Sequence, residues 1–438
     1  MASVVDRIIE IEKINCLYAL TDDRGVPVWD ILRYDVIKAI EYKYNPNKAL
    51  LPKSSFAKRI LILLNAIWWV FHLLFLKKKR FLFYIQSRYK NEEGKYFDRI
   101  SNDLIVRATP SDRIVFDSSG NESDIYNSYK LPIGFFYAKY RKIQLDRQIA
   151  NTIVNVINAG FNDNVISFVQ LQVIYSQFCA QARMFEWILR KTRPEKVFIS
   201  YGRFKPLCFS AKKAGIPTYL MQHSLIEKDD ATIAGTCPDK QYGINADVLL
   251  TFGSYWGGYL KHLMDIQVIG NQVLSKDGLD VSYNGTIVIA SSLYQGPYLS
   301  NFFKEYAQKH PERRFIYKLH PGERIYLQRY RDLFENCANV KVVLDEQSMD
   351  DLLISCTLMV LVSSTTFYEA LNLKKCVAVY AIPEFESLTR FLLKVPNSYS
   401  FTTEKELDEI ITNARFDNSL AITFFEPFNK VLADQLMN

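Results

Sequence analysis

Two of the five histidines in this 438-residue chain stand where an apolar run ends. His320 closes the strand-like stretch "RFIYKLHPGE", which runs straight into Pro321 and Gly322. Those two residues turn the chain away and leave the imidazole at the rim of a sheet rather than in its core. An imidazole at a rim can donate to a phosphate oxygen and stabilise a departing nucleotide; it can also simply bond a carbonyl. Lys318 and Glu323 belong to the same cluster. His223 follows Gln222 in "GIPTYLMQHS", again directly after a buried-strand pattern. Imidazoles titrate near pH 6.5, at about the right value to take a proton from an acceptor hydroxyl.

A third cluster lies in "LVSSTTFYEAL", where a strand passes through Ser363, Ser364, Thr365 and Thr366 into a short helix. Free backbone N–H groups and the helix dipole make such a start an anion site, and small hydroxyl side chains add donors. Serine and threonine are equally favoured as ordinary caps with no ligand. Glu369, one turn further on, can reach a ribose hydroxyl or be a solvated helix residue. Ser291 and Ser292 end "TIVIASS" in a comparable strand-end position and are grouped with the donor-side residues. His262 and His310 read as surface residues, and His72 as structural.

Several chemistries lack their residues. There is no G-x-x-x-x-G-K-[ST], no G-x-G-x-x-G after a strand, and no G-x-S-x-G, which removes the P-loop, the dinucleotide fingerprint and the hydrolase elbow. No Asp-x-Asp occurs, so a metal bridging a diphosphate has no obvious anchor and no metal or cofactor is expected. Phosphate charge would then be met by helix ends, hydroxyls and cations such as Lys318 or Arg203. Seven scattered cysteines, without a C-x-x-C pair, argue against zinc and a disulfide frame and fit a reducing cytoplasm.

These side chains need a scaffold, and the chain is long enough for two cores, with 49% of its residues hydrophobic. The net charge of +7 comes partly from Lys77 to Arg80 and from Lys58 with Arg59, both beside one apolar run, which favours an anionic surface over a nucleic acid. That run, residues 60–76, would make a helix about 25 Å long against a hydrocarbon core of about 30 Å, short for a span. Basic residues at both ends suit a helix lying on the cytoplasmic leaflet; a core helix of the first lobe is the other reading. The opening "MASVVDRIIEIEK" is charged from Asp6 onward and reads as no signal peptide.

From "RFLFYIQ" onward, apolar strands alternate with helical stretches, the mark of parallel β-α-β units. The clearest is "KVFISYGRFKPLCFSAKKAGIPTYLMQHS", in which Gly215 suits a helix end and Pro217 cannot extend the helix. A fresh series begins at Gly285. The expected architecture is α/β, with two Rossmann-like doubly wound lobes, a central cleft and an N-terminal helical segment. The expected parts are an N-terminal helical region at 1–80, a first lobe on the acceptor side at 81–275, a second lobe on the nucleotide side at 276–415, and a C-terminal helix at 416–438 returning to the first lobe. In open parallel sheets, ligands bind beyond the C-terminal strand ends, where all three clusters fall.

"KLHPGE", followed some way on by "LVSSTTFYEALNLKKCVAVY", resembles the donor-binding lobe of bacterial GT-B glycosyltransferases that build capsule and lipopolysaccharide, including Kdo and sialic acid transferases and CDP-glycerol glycerophosphotransferases. "GIPTYLMQHS" resembles that family's "gIP…QHG" segment, with Ser224 where glycine is usual, and "VPVWDILRYDV" and "IQSRY", with Arg33 and Arg88, resemble its first-lobe features. The resemblance implies that His320 meets the donor phosphate and that Ser363, Ser364 and Thr365 hold it. It implies an inverting, metal-independent transfer of a sugar, favouring a cytidine-activated acidic sugar such as Kdo or sialic acid, to a lipid-linked glycan at the inner face of the cytoplasmic membrane. His223 is the candidate base, with Arg203, Arg88 and Gln222 as further contacts. Two other readings are a CDP-glycerol or CDP-ribitol-type polyol-phosphate transferase and a noncatalytic GT-B-like membrane assembly protein; an epimerase of the same fold is a fourth.

Overall fold

A computed structural model of the chain describes residues 4–23, 25–44, 71–91, 93–119, 124–131, 133, 136–137, 143–223, 226, 237–275 and 282–438. Most of the apolar run at 60–76 and all of Ser224 lie outside the described residues. Among the described residues no helix is long and apolar enough to cross a membrane.

The chain divides into two compact units: Met1–Thr251 with Trp256–Ile269 and Asn429–Asn438, and Phe252–Tyr255 with Gly270–Phe428. The first begins with helices α1 (Val4–Asn15) and α2 (Val28–Tyr44). Strands β1 (Phe81–Ile85) and β2 (Arg113–Asp117) come next, then helices α3 (Arg147–Phe161) and α4 (Phe168–Thr192). A Ser167/Gln170 capping box starts α4 by satisfying its first N–H groups. Strand β3 (Lys196–Ile199), helix α5 (Lys205–Lys213) and strands β4 (Thr218–Met221), β5 (Val248–Thr251) and β6 (Asp265–Val268) follow. Gly215, at φ 68°, takes the left-handed turn after α5 that releases the chain into β4.

The second unit holds β7 (Thr286–Ala290), α6 (Gly296–Lys309), β8 (Arg314–Lys318) and α7 (Leu327–Leu333). It continues with β9 (Val340–Val343), α8 (Met349–Ser355), β10 (Leu358–Leu361) and α9 (Thr366–Asn372). Strands β11 (Cys376–Tyr380) and β12 (Ser398–Phe401) and helix α10 (Glu404–Asn413) complete it. The last helix, α11 (Lys430–Met437), belongs to the first unit. There Lys196 Nζ donates to the Leu436 carbonyl at 2.7 Å and Arg80 Nη2 to that of Asn438 at 2.9 Å.

Each unit has a six-stranded sheet, ordered β2-β1-β3-β4-β5-β6 in the first and β9-β8-β7-β10-β11-β12 in the second. All pairings within these sheets are parallel. Helical crossovers bury both faces, which is why the strands read as continuous apolar runs instead of alternating ones. The second sheet has the doubly wound order 3-2-1-4-5-6, whose direction of winding reverses between β7 and β10. In the first sheet the reversal falls between β1 and β3.

Lys375 shows how firmly the second unit is fastened. It is fully buried, and its ammonium donates to the carbonyls of Ser282 (2.6 Å), Ile354 (3.0 Å) and Cys356 (2.7 Å), three acceptors that replace water around three N–H donors. Burial nonetheless pulls its pKa down.

Candidate functional site

The second sheet gathers three loops at its C-terminal edge. Lys318 pairs with Ala290 and Val360 with Ile289, so β8, β7 and β10 end nearly level. With strands about 4.8 Å apart, the turn after β8 and that after β10 stand roughly 10 Å from each other, flanking the end of β7. His320 is carried by the first of these turns and Ser363 to Thr365 by the second, beside the point where the winding reverses.

The His320 turn is held from below. Pro321–Tyr326 forms a 3₁₀ segment for which His320 is the N-cap. The Glu323 carboxylate, 1% exposed, accepts the His320 backbone N–H through Oε2 at 3.0 Å. Its Oε1 accepts the Ser291 hydroxyl at 3.0 Å and the Tyr330 hydroxyl at 2.7 Å. This network raises the Tyr330 phenol above its ordinary range, first by burial and then through its bond to Glu323. Gly296, which opens α6, leaves room for it: a Cβ there would overlap Glu323 Oε1, Tyr330 Oη and Ser291 Oγ.

His320 itself is exposed, and its Nδ1 accepts the Gly322 N–H at 3.0 Å. An Nδ1 that accepts leaves the proton of a neutral ring on Nε2, so the hydrogen-bond pattern assigns a tautomer whose outward nitrogen is a donor. No described group takes that donor. A Cβ at Gly322 would press on the end of the Leu293 side chain at 2.9 Å and on His320 Nδ1 at 3.1 Å.

On the β10 side, Thr365 is the N-cap of α9 and makes no side-chain cap bond, while Ser364 Oγ, one residue earlier, accepts from the Thr366 N–H at 3.3 Å and from the Thr366 hydroxyl at 2.8 Å. The Ser363 and Thr365 hydroxyls make no bond with any described residue; Thr365 is exposed and Ser363 half-buried. Glu369 is 6% exposed, so it is not a solvated helix residue.

Four of the expected donor-side residues are engaged within the protein. The Lys318 ammonium is taken up by the loop after β9, donating to the Leu344 carbonyl and, at 2.6 Å, to that of Gln347, while Tyr317 and Leu319 on either side of it lie in the core. Burial lowers its pKa, with Asp345 and Glu346 opposing. Glu323 and Ser291 are buried members of the network beneath the histidine and act by positioning it. Ser292 bonds the Gln295 side chain and accepts the Gly296 N–H through its carbonyl at 2.7 Å.

In the first unit, His223 lies half-buried at the end of β4 with its Nε2 against Gly202, where an added Cβ would come within 3.0 Å of it. Gln222 is 1% exposed, and its N–H belongs to the sheet, donating to the Leu250 carbonyl at 2.9 Å. Arg33 is buried in an ion pair with Glu12 at 2.5 Å that joins α1 to α2, and Arg88 bonds the Gln86 side chain. Arg203 is 51% exposed, 3.4 Å from Asp35, whose pKa burial pushes up against the pull of that guanidinium. It borders a cavity of about 440 Å³ that also meets Tyr84, Asp117, Gln177, Gln181 and Tyr201. Beneath this loop the buried Asp98 carboxylate accepts from Ser200 and, at 2.5 Å, from Ser101. Burial raises its pKa, with the two hydroxyl bonds opposing.

Residues missed in the sequence include Tyr330, on α7 beyond the 3₁₀ segment that carries Glu323, and Gly296, whose role depends on a close approach that no local pattern records. Asp98 gave no signal, being far in sequence from Ser200.

Two Rossmann-like parallel-sheet units in one chain define the GT-B architecture, and the class follows from the two strand orders. No protein-family model matches the chain, and no curated protein does. Solved structures of similar fold include a UDP-GlcNAc 2-epimerase from Methanocaldococcus jannaschii in complex with UDP-GlcNAc and UDP, 13% identical over 82% of this chain and 99% of the other, with a TM-score of 0.46. Acinetobacter baumannii MurG is 10% identical over 81% and 99%, with a TM-score of 0.47. A Neisseria meningitidis UDP-GlcNAc 2-epimerase bound to UDP-GlcNAc is 12% identical over 82% and 99%, with a TM-score of 0.46. The expected preference for a cytidine nucleotide is corrected by these structures: both epimerases hold uridine nucleotides.

Proposed function

We propose that the protein is a glycosyltransferase that moves a sugar from a nucleotide donor to a bacterial surface-polysaccharide acceptor with inversion. The observation that carries this reading is the outward Nε2–H of His320, fixed by Gly322 and Glu323 and flanked across β7 by the unbonded hydroxyls of Ser363 and Thr365. A neutral donor and two hydroxyls suit a phosphate oxygen that gains charge as its bond to the sugar breaks. In this reading Glu369 contacts the ribose, the donor belongs to the second unit and the acceptor to the first. His223 takes the proton of the acceptor hydroxyl as its oxygen attacks the anomeric carbon. The C–O bond to the nucleotide breaks on the opposite side, and the nucleotide leaves with the electron pair. A lipid-linked acceptor fits peripheral attachment to the inner face of the cytoplasmic membrane.

Nucleotide release from a panel of activated sugars, followed with and without a lipid-linked glycan extract, tests the proposal. Acceptor-dependent release, lost in His320→Ala, is the expected result. Product mass carrying an added phosphodiester would indicate polyol-phosphate transfer instead, conversion of the donor without acceptor would indicate epimerisation, and no turnover with any donor would leave an assembly role.

A further inference from the structure

Residues 71–74 form a turn of helix that buries Leu73 and leaves its other apolar side chains in water: Phe71 is 54% exposed, Leu74 50% and the following Phe75 68%. The Phe71 and Phe75 rings meet edge to face at 5.0 Å, so they make one continuous patch. Two exposed lysines, Lys77 and Lys78, come next. Lys79 then fastens the segment to the first unit, its N–H donating to the Thr192 carbonyl at 2.9 Å and its ammonium to those of Pro110 (3.2 Å) and Ser111 (2.7 Å).

Thr192 is the last residue of α4, so this bond sets Lys77 and Lys78 beside the exposed Arg190, Lys191 and Arg193. None of these five cations pairs with a described carboxylate. Arg190 reaches only the Glu186 carbonyl, at 3.4 Å. Of the neighbouring acids, Glu195 is taken by Arg80 at 3.1 Å, and Asp112 accepts the Thr109 hydroxyl at 2.9 Å. The end of α4 attracts cations by itself through the helix dipole, but Lys77 and Lys78 lie on no helix.

Large apolar side chains next to unpaired cations are complementary to one kind of surface, in which an acyl layer adjoins anionic headgroups. A nucleic acid would match the cations and leave the phenylalanines in water. We propose that this face seats the protein on a bilayer containing anionic phospholipid, with Phe71, Leu74 and Phe75 entering the acyl boundary and the five cations meeting headgroup phosphates. The proposal rests on the peripheral attachment included in the function above, and not on the transfer chemistry.

The test is sedimentation of the full chain with vesicles of phosphatidylcholine alone and of phosphatidylcholine mixed equally with phosphatidylglycerol. Binding to the anionic vesicles only, weakening as salt is raised, is expected. Lys77→Gln with Lys78→Gln should weaken it about 25-fold, at about fivefold per charge. Phe71→Ser with Phe75→Ser should weaken it by about tenfold or more, with the melting temperature unchanged because these side chains are already in water. Equal binding to both vesicles, no binding, or variants that bind like the parent would overturn the proposal. Loss of self-association in the phenylalanine variant without any vesicle binding would assign the patch to a second copy and overturn it as well. Nucleotide binding measured on the same samples reports on the second unit independently, so the two failures are told apart.

Discussion

Glu323 and His320 are tied through the backbone: the carboxylate accepts the histidine N–H at 3.0 Å while remaining 1% exposed. A buried carboxylate is costly to hold unless its lone pairs are satisfied, and three described donors do so here, from His320, Ser291 and Tyr330. The imidazole stays in water while the group that aims it is sealed beneath.

Turnover and stability should therefore separate at these two positions. His320→Ala removes an exposed ring and should leave the melting temperature nearly unchanged while lowering kcat by about a hundredfold or more. Calorimetric melting together with a nucleotide-release assay checks both halves.

Glu323→Gln replaces one acceptor oxygen with a donor facing hydroxyls or an N–H, and should cost about 1–3 kcal/mol in urea unfolding. Gly296→Ala should act on the same network by overlap rather than by charge. If each variant reduces turnover, combining them should add little to either, because both disturb one network.

The hydroxyls on the β10 side should govern affinity. Ser363→Ala and Thr365→Ala each remove a free hydroxyl and should raise the Kd for nucleotide about two- to twelvefold, from about 0.5–1.5 kcal/mol per bond. Ser364→Ala removes the acceptor of the Thr366 N–H and hydroxyl at the start of α9 and should lower stability by about 1 kcal/mol. Thermal shift with and without nucleotide separates the two effects.

The pH dependence of the second unit has a legible component at Glu406. Its carboxylate accepts the N–H groups of Thr402 (2.7 Å) and Thr403 (2.9 Å) and the Thr402 hydroxyl (2.9 Å), which hold its pKa at about 2 instead of 4.5. A carboxyl depressed on folding contributes stability that is fully present above its unfolded value and lost as pH falls through the folded one. The stability difference between the parent and Glu406→Gln should be constant above about pH 5 and shrink between 4.5 and about 2. Urea midpoints across that range measure it.

Lys375→Met keeps the aliphatic stem and strands three carbonyls, so it should destabilise the second unit by about 2–4 kcal/mol. Hydrogen exchange at β7 and β10 would show the loss locally.

Much of the architecture was visible in the sequence because parallel strands buried on both faces read as apolar runs and their helices carry caps. Ser348 does start α8, accepting the Asp351 N–H at 3.1 Å, and Gly215 does close α5. The rim positions of His320 and Thr365 followed from Pro321, Gly322 and the change from strand to helix. Which side chains face outward did not. Lys318 and His320 look alike as polar residues at a strand end, yet the Lys318 ammonium is bonded to the loop after β9 while the His320 Nε2 points outward, a difference set by neighbouring carbonyls distant in sequence. The Glu323–Ser291–Tyr330 network joins three elements, and no local spacing could have linked them. The nucleotide base was the least legible of all, since residues suited to a phosphate say nothing about the ring at the other end.

The most direct measurement is isothermal titration of UDP, GDP, CDP and CMP into the parent chain and His320→Ala. Saturable binding of at least one nucleotide, weakened about tenfold or more by the substitution, is the expected result, since it removes one hydrogen bond to a charged phosphate. Binding that is indifferent to His320, or no binding of any nucleotide, would contradict the assignment of the second sheet's rim as a phosphate site.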